Sequence, residues 1–289
     1  MRLRKLVPSP LQPAARVTYN ALGAVTSPIR LMPDFLVIGG QRCGTTTMFK
    51  ALSEHPQVMR PGVEKGIDYF TFNYGHSEGW YRGHFPISSL ARLRTARHGQ
   101  PIAFEACTYY MFHPFAIERI AKDLPDVMLV VMLRNPVERA YSAYKHELAR
   151  GFETEPSFER ALELEDERLE AEYERMAADV SYESFAHRHH TYRRRGQYVE
   201  QLDRVYSHFD RAQVHVLDSE GFFAEPKQEY GRLIEFLGLS RFEPEAIERH
   251  NARPGSPMPE SASRFLADHY APYDEELADL LGRAPGWMR

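Results

Sequence analysis

The chain has 289 residues, 43% of them apolar and 26% charged, which is enough for a full hydrophobic core in one large domain. Its net charge of −4 argues against a general nucleic-acid binder, and no run is long and apolar enough to span a bilayer. The two cysteines, Cys43 and Cys107, exclude a disulfide scaffold and a cysteine-based zinc site. Two free thiols in a reducing cytosol are expected, which makes the expected location cytoplasmic. Each cysteine follows a predicted strand, so both are expected near one sheet edge.

Residues 1–32 carry Arg2, Arg4, Lys5, Arg16 and Arg30 with scattered apolar residues. This segment is expected to be an extended or partly helical arm, not a signal peptide, ahead of a single domain over residues 33–289. Phe35-Leu36-Val37-Ile38 reads as a buried strand. It is followed by Gly39-Gly40-Gln41-Arg42-Cys43-Gly44 and by Thr45-Thr46-Thr47, where a helical pattern starts that runs to His55. A strand, a glycine-bearing turn and a helix N-terminus form a phosphate cradle, because free N–H groups and the positive dipole end face the anion. Gly39-x4-Gly44 has P-loop spacing, but Thr45 stands where the P-loop lysine belongs, and the cation sits earlier, at Arg42. A tight turn that binds nothing is the competing reading of this motif alone.

Arg60-Pro61-Gly62 predicts a turn, and Lys65 to Phe70 an extended segment entering an aromatic loop that contains Tyr74, Trp80 and Tyr81. A short strand is expected over 101–106 and a helix over 115–124. Val127 to Leu133 is apolar throughout, as a strand buried on both faces of a parallel sheet should be. Asn135-Pro136 then starts a helix that Gly151 ends. Residues 153–174 are acidic and read as a solvated helix or lid. A helix over 192–209, a strand over 214–217, a helix over 226–237 and a last helix from about Ser261 complete an α/β, P-loop-like three-layer domain. Its central, mostly parallel sheet is expected to be flanked by helices.

Arg134, at the carboxyl end of a central strand, and Ser142, on the next helix, form a second candidate anion site. The two elements together resemble the sulfotransferase family that uses 3′-phosphoadenosine-5′-phosphosulfate (PAPS), in particular its heparan-sulfate-type carbohydrate branch and the bacterial relatives of that branch. Gln41, Arg42, Cys43, Gly44, Thr45, Thr46 and Thr47 look like the 5′-phosphosulfate loop, and Arg134 and Ser142 like the 3′-phosphate site. Lys65 to Phe70, Trp80-Tyr81, Phe85-Pro86, Arg195-Gly196-x-Tyr198 and Phe236-Leu237-Gly238-Leu239 resemble further segments of that branch. Arg253, in Asn251-Ala252-Arg253-Pro254, falls where the family closes a basic loop over the cofactor.

The resemblance implies in-line transfer of a sulfuryl group from PAPS to a hydroxyl or amine of a carbohydrate, glycolipid or other small acceptor. It implies neither a metal nor a nucleic-acid partner. Arg42, with the amides near Thr45 and Thr46 and with help from Lys65, is expected to stabilise the leaving phosphate oxygen. The branch's base glutamate falls at Gly66, and a lysine the branch often carries falls at Ala106. The carboxylates left for the base are Asp68 first, Glu105 second and Glu64 third. Glu105 is expected to reach the acceptor or to orient Lys65. Two alternatives stay open: a P-loop nucleotide kinase-like enzyme, or a non-catalytic PAPS- or glycan-binding protein that has lost its base. The run from Arg188 to Arg195 could hold an anionic chain or could start a charged helix; His187, just before it, and His189 and His190 within it make no convincing metal site.

Overall fold

The computed structural model describes residues 12–62, 65–245, 247 and 256–288. Five strands, β1 (Phe35–Val37), β2 (Val58–Met59), β3 (Ile102–Ala106), β4 (Met128–Leu133) and β5 (Val214–Asp218), form one sheet in the order β2-β3-β1-β4-β5. Every pairing is parallel. In β1, Leu36 pairs with Glu105 of β3 on one side and with Leu129 of β4 on the other. Strand alternation splits the apolar residues between two cores. Leu36, Ala103, Leu129 and Val131 face one layer; Phe35, Val37, Phe104, Val130 and Met132 face the other.

The helices are α1 (Gln12–Val25), α2 (Thr45–Glu54), α3 (Glu78–Arg82), α4 (Ser88–Thr95), α5 (Ala116–Asp123), α6 (Pro136–Arg150), α7 (Phe158–Glu163), α8 (Glu165–Arg168), α9 (Glu172–Ala178), α10 (Phe185–His189), α11 (Tyr198–Tyr206), α12 (Ser219–Ala224), α13 (Pro226–Phe236) and α14 (Glu260–Leu281). As expected, the Asn135 side chain caps α6 by accepting from the Glu138 N–H at 3.2 Å, and left-handed Gly151 ends it. Because the sheet is parallel, the turns that follow β1, β3, β4 and β5 meet at one edge, where ligands bind in open α/β sheets.

The partly helical arm is borne out, one strand was not anticipated, and two expectations are corrected. The arm is helical over Gln12–Val25 and packs on α3, where Gly23 and Gly83 touch backbone to backbone; residues 1–11 lie outside the described residues. Strand β2 is only two residues long and has no sequence signal. The helix expected over 192–209 is confined to α11, after a 3-10 turn at Arg194–Gly196. The acidic tract folds as three short helices instead of a solvated one. Glu153, Glu165 and Glu172 are buried: Glu153 pairs with Arg168 and accepts from the Tyr192 hydroxyl, and Glu165 accepts from the N–H groups of Tyr192, Arg193 and Arg194. Arg193 and Arg194 pair with Asp166 at 2.7 and 2.8 Å. Half of the basic run is therefore neutralised by the acidic tract.

Candidate active site

A cleft of about 820 Å³ opens at the carboxyl edge of the sheet, between the turn after β1 and the segments after β3, β4 and β5. Gly40 and Gly44 (φ +27° and +89°) and Arg42 (φ +70°) bend the turn so that α2 starts at Thr45. The N–H groups of the first helical turn have no acceptor within the helix, so Thr45 and Thr46, which line the cleft, are candidates for the floor of an anion site. Lys65 Nζ donates to Thr45 Oγ1 at 3.2 Å. The lysine absent from position 45 is thus supplied from a distant segment, 20 residues on. Burial lowers the Lys65 pKa to about 8, with the Cys107 thiol acting in the opposite sense.

The second candidate anion site adjoins the first. Arg42 Nε donates to Ser142 Oγ at 3.0 Å, and Arg134 Nη1 lies 3.5 Å from the Arg42 carbonyl. The Arg42 side chain, expected at the leaving oxygen, lies against Ser142 of α6 in the cleft, and the Lys65 ammonium lies at the α2 N-terminus. Gln41, Arg42, Gly44, Thr45, Thr46, Arg134 and Ser142 line the cleft, whereas Cys43, Thr47 and Tyr198, expected to touch the cofactor, are buried beneath it. The Tyr198 hydroxyl donates to the Arg134 carbonyl at 2.9 Å and lies 3.7 Å from Cys43 Sγ, so it supports both phosphate turns from below. Glu64 and Arg253 lie outside the described residues.

The sulfotransferase domain model matches residues 32–253. The chain belongs to the sulfotransferase family. It is 27% identical to mouse (Mus musculus) heparan sulfate glucosamine 3-O-sulfotransferase 6, over 97% of this chain and 82% of that one. It is 28% identical to the bifunctional heparan sulfate N-deacetylase/N-sulfotransferase 1 of Caenorhabditis elegans over 78% of this chain, which spans 24% of that relative's length. The crystal structure of a sulfotransferase from Alicyclobacillus acidocaldarius superposes with a TM-score of 0.68 at 29% identity, covering 90% of this chain and all of that one.

In this sulfotransferase the segment that follows Lys65 is not extended. Asp68 has a left-handed backbone, φ +56°, rare outside glycine but tolerated by aspartate and asparagine. Glu105, fully buried, clamps both of its neighbours. Glu105 Oε1 accepts from the Ile67 N–H at 2.6 Å and from the Tyr110 hydroxyl at 2.8 Å, and that hydroxyl accepts from the Tyr69 N–H at 2.9 Å. The Tyr81 hydroxyl donates to Oε2 at 2.7 Å. Burial pushes the Glu105 carboxyl up to about 7, against the bonds that favour its ionised form. Glu105 therefore does not line the cleft or touch Lys65; it positions Asp68. The Asp68 carboxylate does line the cleft, accepting from Cys107 Sγ at 2.8 Å and from Arg188 Nη2 at 3.0 Å. The two cysteines end on opposite faces of the sheet, Cys43 in one core and Cys107 in the other.

Gly66 is required by packing. A Cβ there would lie 2.8 Å from the Ala106 carbonyl oxygen, so the position to which the resemblance assigns a glutamate has no room for a side chain. Gly66→Ala should destabilise the fold by about 1–3 kcal/mol, read as a lower denaturant midpoint at unchanged m-value. A variant as stable as the parent would refute the close approach.

One link was missed from sequence. Buried Glu147 of α6 lies 3.0 Å from His189 Nδ1 and accepts from Gln41 Nε2 at 3.2 Å, tying α10 to the phosphate turn. Burial opposes its ionisation, but the bond from His189 and the nearby Arg150 hold its pKa below the ordinary range. The readable signal was an acid within the inward stripe of α6 that contains Ala140 and Tyr144.

Proposed function

We propose that this sulfotransferase moves a sulfuryl group from PAPS to a hydroxyl of a carbohydrate acceptor by in-line displacement. The observation that carries the reading is a single cleft with two adjoining anion sites, one at the α2 N-terminus with Lys65 and one formed by Arg42, Arg134 and Ser142. A nucleotide with phosphates at both ends of its ribose matches that pair. The carbohydrate acceptor is supported by relatives whose names specify heparan sulfate. As the sulfur–oxygen bond to the leaving phosphate breaks and the bond to the acceptor oxygen forms, Lys65 and the α2 amides stabilise the charge growing on the phosphate. Asp68 takes the acceptor proton.

Calorimetry tests the donor assignment. The protein should bind 3′,5′-ADP about 10- to 100-fold more tightly than ADP, the weight of a lost charge-assisted contact of about 1.5–3 kcal/mol. Arg134→Ala and Ser142→Ala should each reduce that preference in a folded protein. Equal affinity for the two nucleotides would overturn the reading.

A further inference from the structure

A second cavity, of about 480 Å³, adjoins the cleft, and Asp68 lines both. One wall is α1, which contributes Arg16, Tyr19 and Asn20; the other holds Phe72, His76 and Trp80. Helix α1 lies ahead of residues 32–253, the span matched by the family model. The Tyr19 hydroxyl donates to the His84 carbonyl at 3.4 Å, which ties α1 to the end of α3.

The aromatic residues of this region divide into two sets. Tyr69, Phe70 and Tyr81 are buried and stacked on one another as core. Trp80 is only half-buried; it packs against that core, stacking on Tyr69 at 6.3 Å, and at the cavity wall it carries the exposed His76 ring stacked on it at 4.3 Å and the edge of His84 at 4.5 Å. Asn20 and Asn73 add amide groups. Among the described residues, the acids and the lysine or arginine side chains that line this cavity are Asp68 and Arg16 alone. The cleft differs: Arg42, Lys65, Arg134, Lys145, Arg150 and Arg188 all line it.

We infer that the cavity between α1 and the Phe72–Trp80 wall is the acceptor subsite and that it takes an uncharged glycoside. The inference rests on the sulfotransfer reading, since Asp68 joins the two cavities as the base. Flat aromatic faces cover the apolar face of a sugar ring, while amide groups and one guanidinium satisfy its hydroxyls. A polysulfated chain would meet a single cation and a carboxylate here, and burying unpaired sulfates is unfavourable. The polyanion-matching charge lies instead in the cleft, where the donor binds.

The chain has two tryptophans, so Trp287→Phe leaves Trp80 as the sole indole reporter in the full-length protein. Neutral methyl and phenyl glycosides should then give a saturable change in Trp80 fluorescence. Asn20→Phe, which fills the cavity, should raise both the half-saturating concentration and the acceptor KM tenfold or more, at unchanged 3′,5′-ADP affinity. His76→Ala, on the exposed rim, should raise them severalfold and provides the test if Asn20→Phe does not fold. Sulfate transfer with a silent Trp80 and neutral variants would overturn the subsite, as would a response to an N-sulfated heparan oligosaccharide alone. No response to any glycoside would overturn it too. A Trp80 response to neutral glycosides without 3′,5′-ADP binding would remove the sulfotransfer reading and leave the cavity as a glycoside site.

Discussion

Lys65→Ala should lower turnover by about 10²- to 10³-fold while 3′,5′-ADP affinity falls much less. The reason is where the charge sits. Lys65 donates to Thr45 at the α2 N-terminus, in a site already supplied with helix amides, and removing one preorganised donor from developing charge costs about that much. On the proposed donor reading, product binding draws on Arg42, Arg134 and Ser142 as well, so it should survive. A loss confined to affinity, with turnover at saturation unchanged, would return the leaving-group role to Arg42.

The pH profile gives a second reading of the same residue. Burial lowers Lys65 from its ordinary 10.5 to about 8, and in the proposed mechanism the protonated form is the one that stabilises the leaving oxygen. In the free enzyme kcat/KM should therefore fall above about pH 8, and Lys65→Arg should move this limb to higher pH. Unfolding cannot account for the limb through this group. Between about pH 8 and 10.5 the unfolded chain binds more protons at Lys65 than the folded one, so its contribution to stability rises with pH. Activity and stability should diverge across that window, which circular dichroism and initial rates measured together would show.

What was legible in the sequence follows from which forces are local. Strands β1 and β4 are continuous apolar runs, and the glycines before Thr45 must bend because an α-helix starts immediately after them. Asn135, Pro136 and Gly151 mark the ends of α6 with their own side chains and backbones. The acidic tract misled because its carboxylates are bound by partners distant in sequence; Glu153 and Tyr192 are 39 residues apart. Asp68 was correctly placed in the cleft, but from a wrong premise. An extended segment would have set residues 66 and 68 on one side. What sets them there is a left-handed turn held by Glu105, and no local pattern encodes a clamp formed between residues 38 apart. Two residues, β2, are too few to show any periodicity.

Asp68→Asn should cut turnover by about 10²-fold or more and leave 3′,5′-ADP affinity near that of the parent. The substitution is conservative in two respects. Asparagine adopts the left-handed backbone as readily as aspartate, and its carbonyl oxygen can still accept from Cys107. What disappears is the basicity and the ion pair with Arg188 at 3.0 Å. The competing account of Asp68 is that it only anchors Arg188, which also pairs with Glu183 and covers the Phe72 ring at 4.9 Å. Arg188→Gln separates the two accounts, because it breaks the same pair and leaves the carboxylate in place. If Asp68 is an anchor, the two variants lose similar activity. If it takes the acceptor proton, Arg188→Gln retains most turnover, because the carboxylate that accepts the proton is still in place. Equal losses in both variants would strip Asp68 of the base role and leave the acceptor to lose its proton without a carboxylate from this segment.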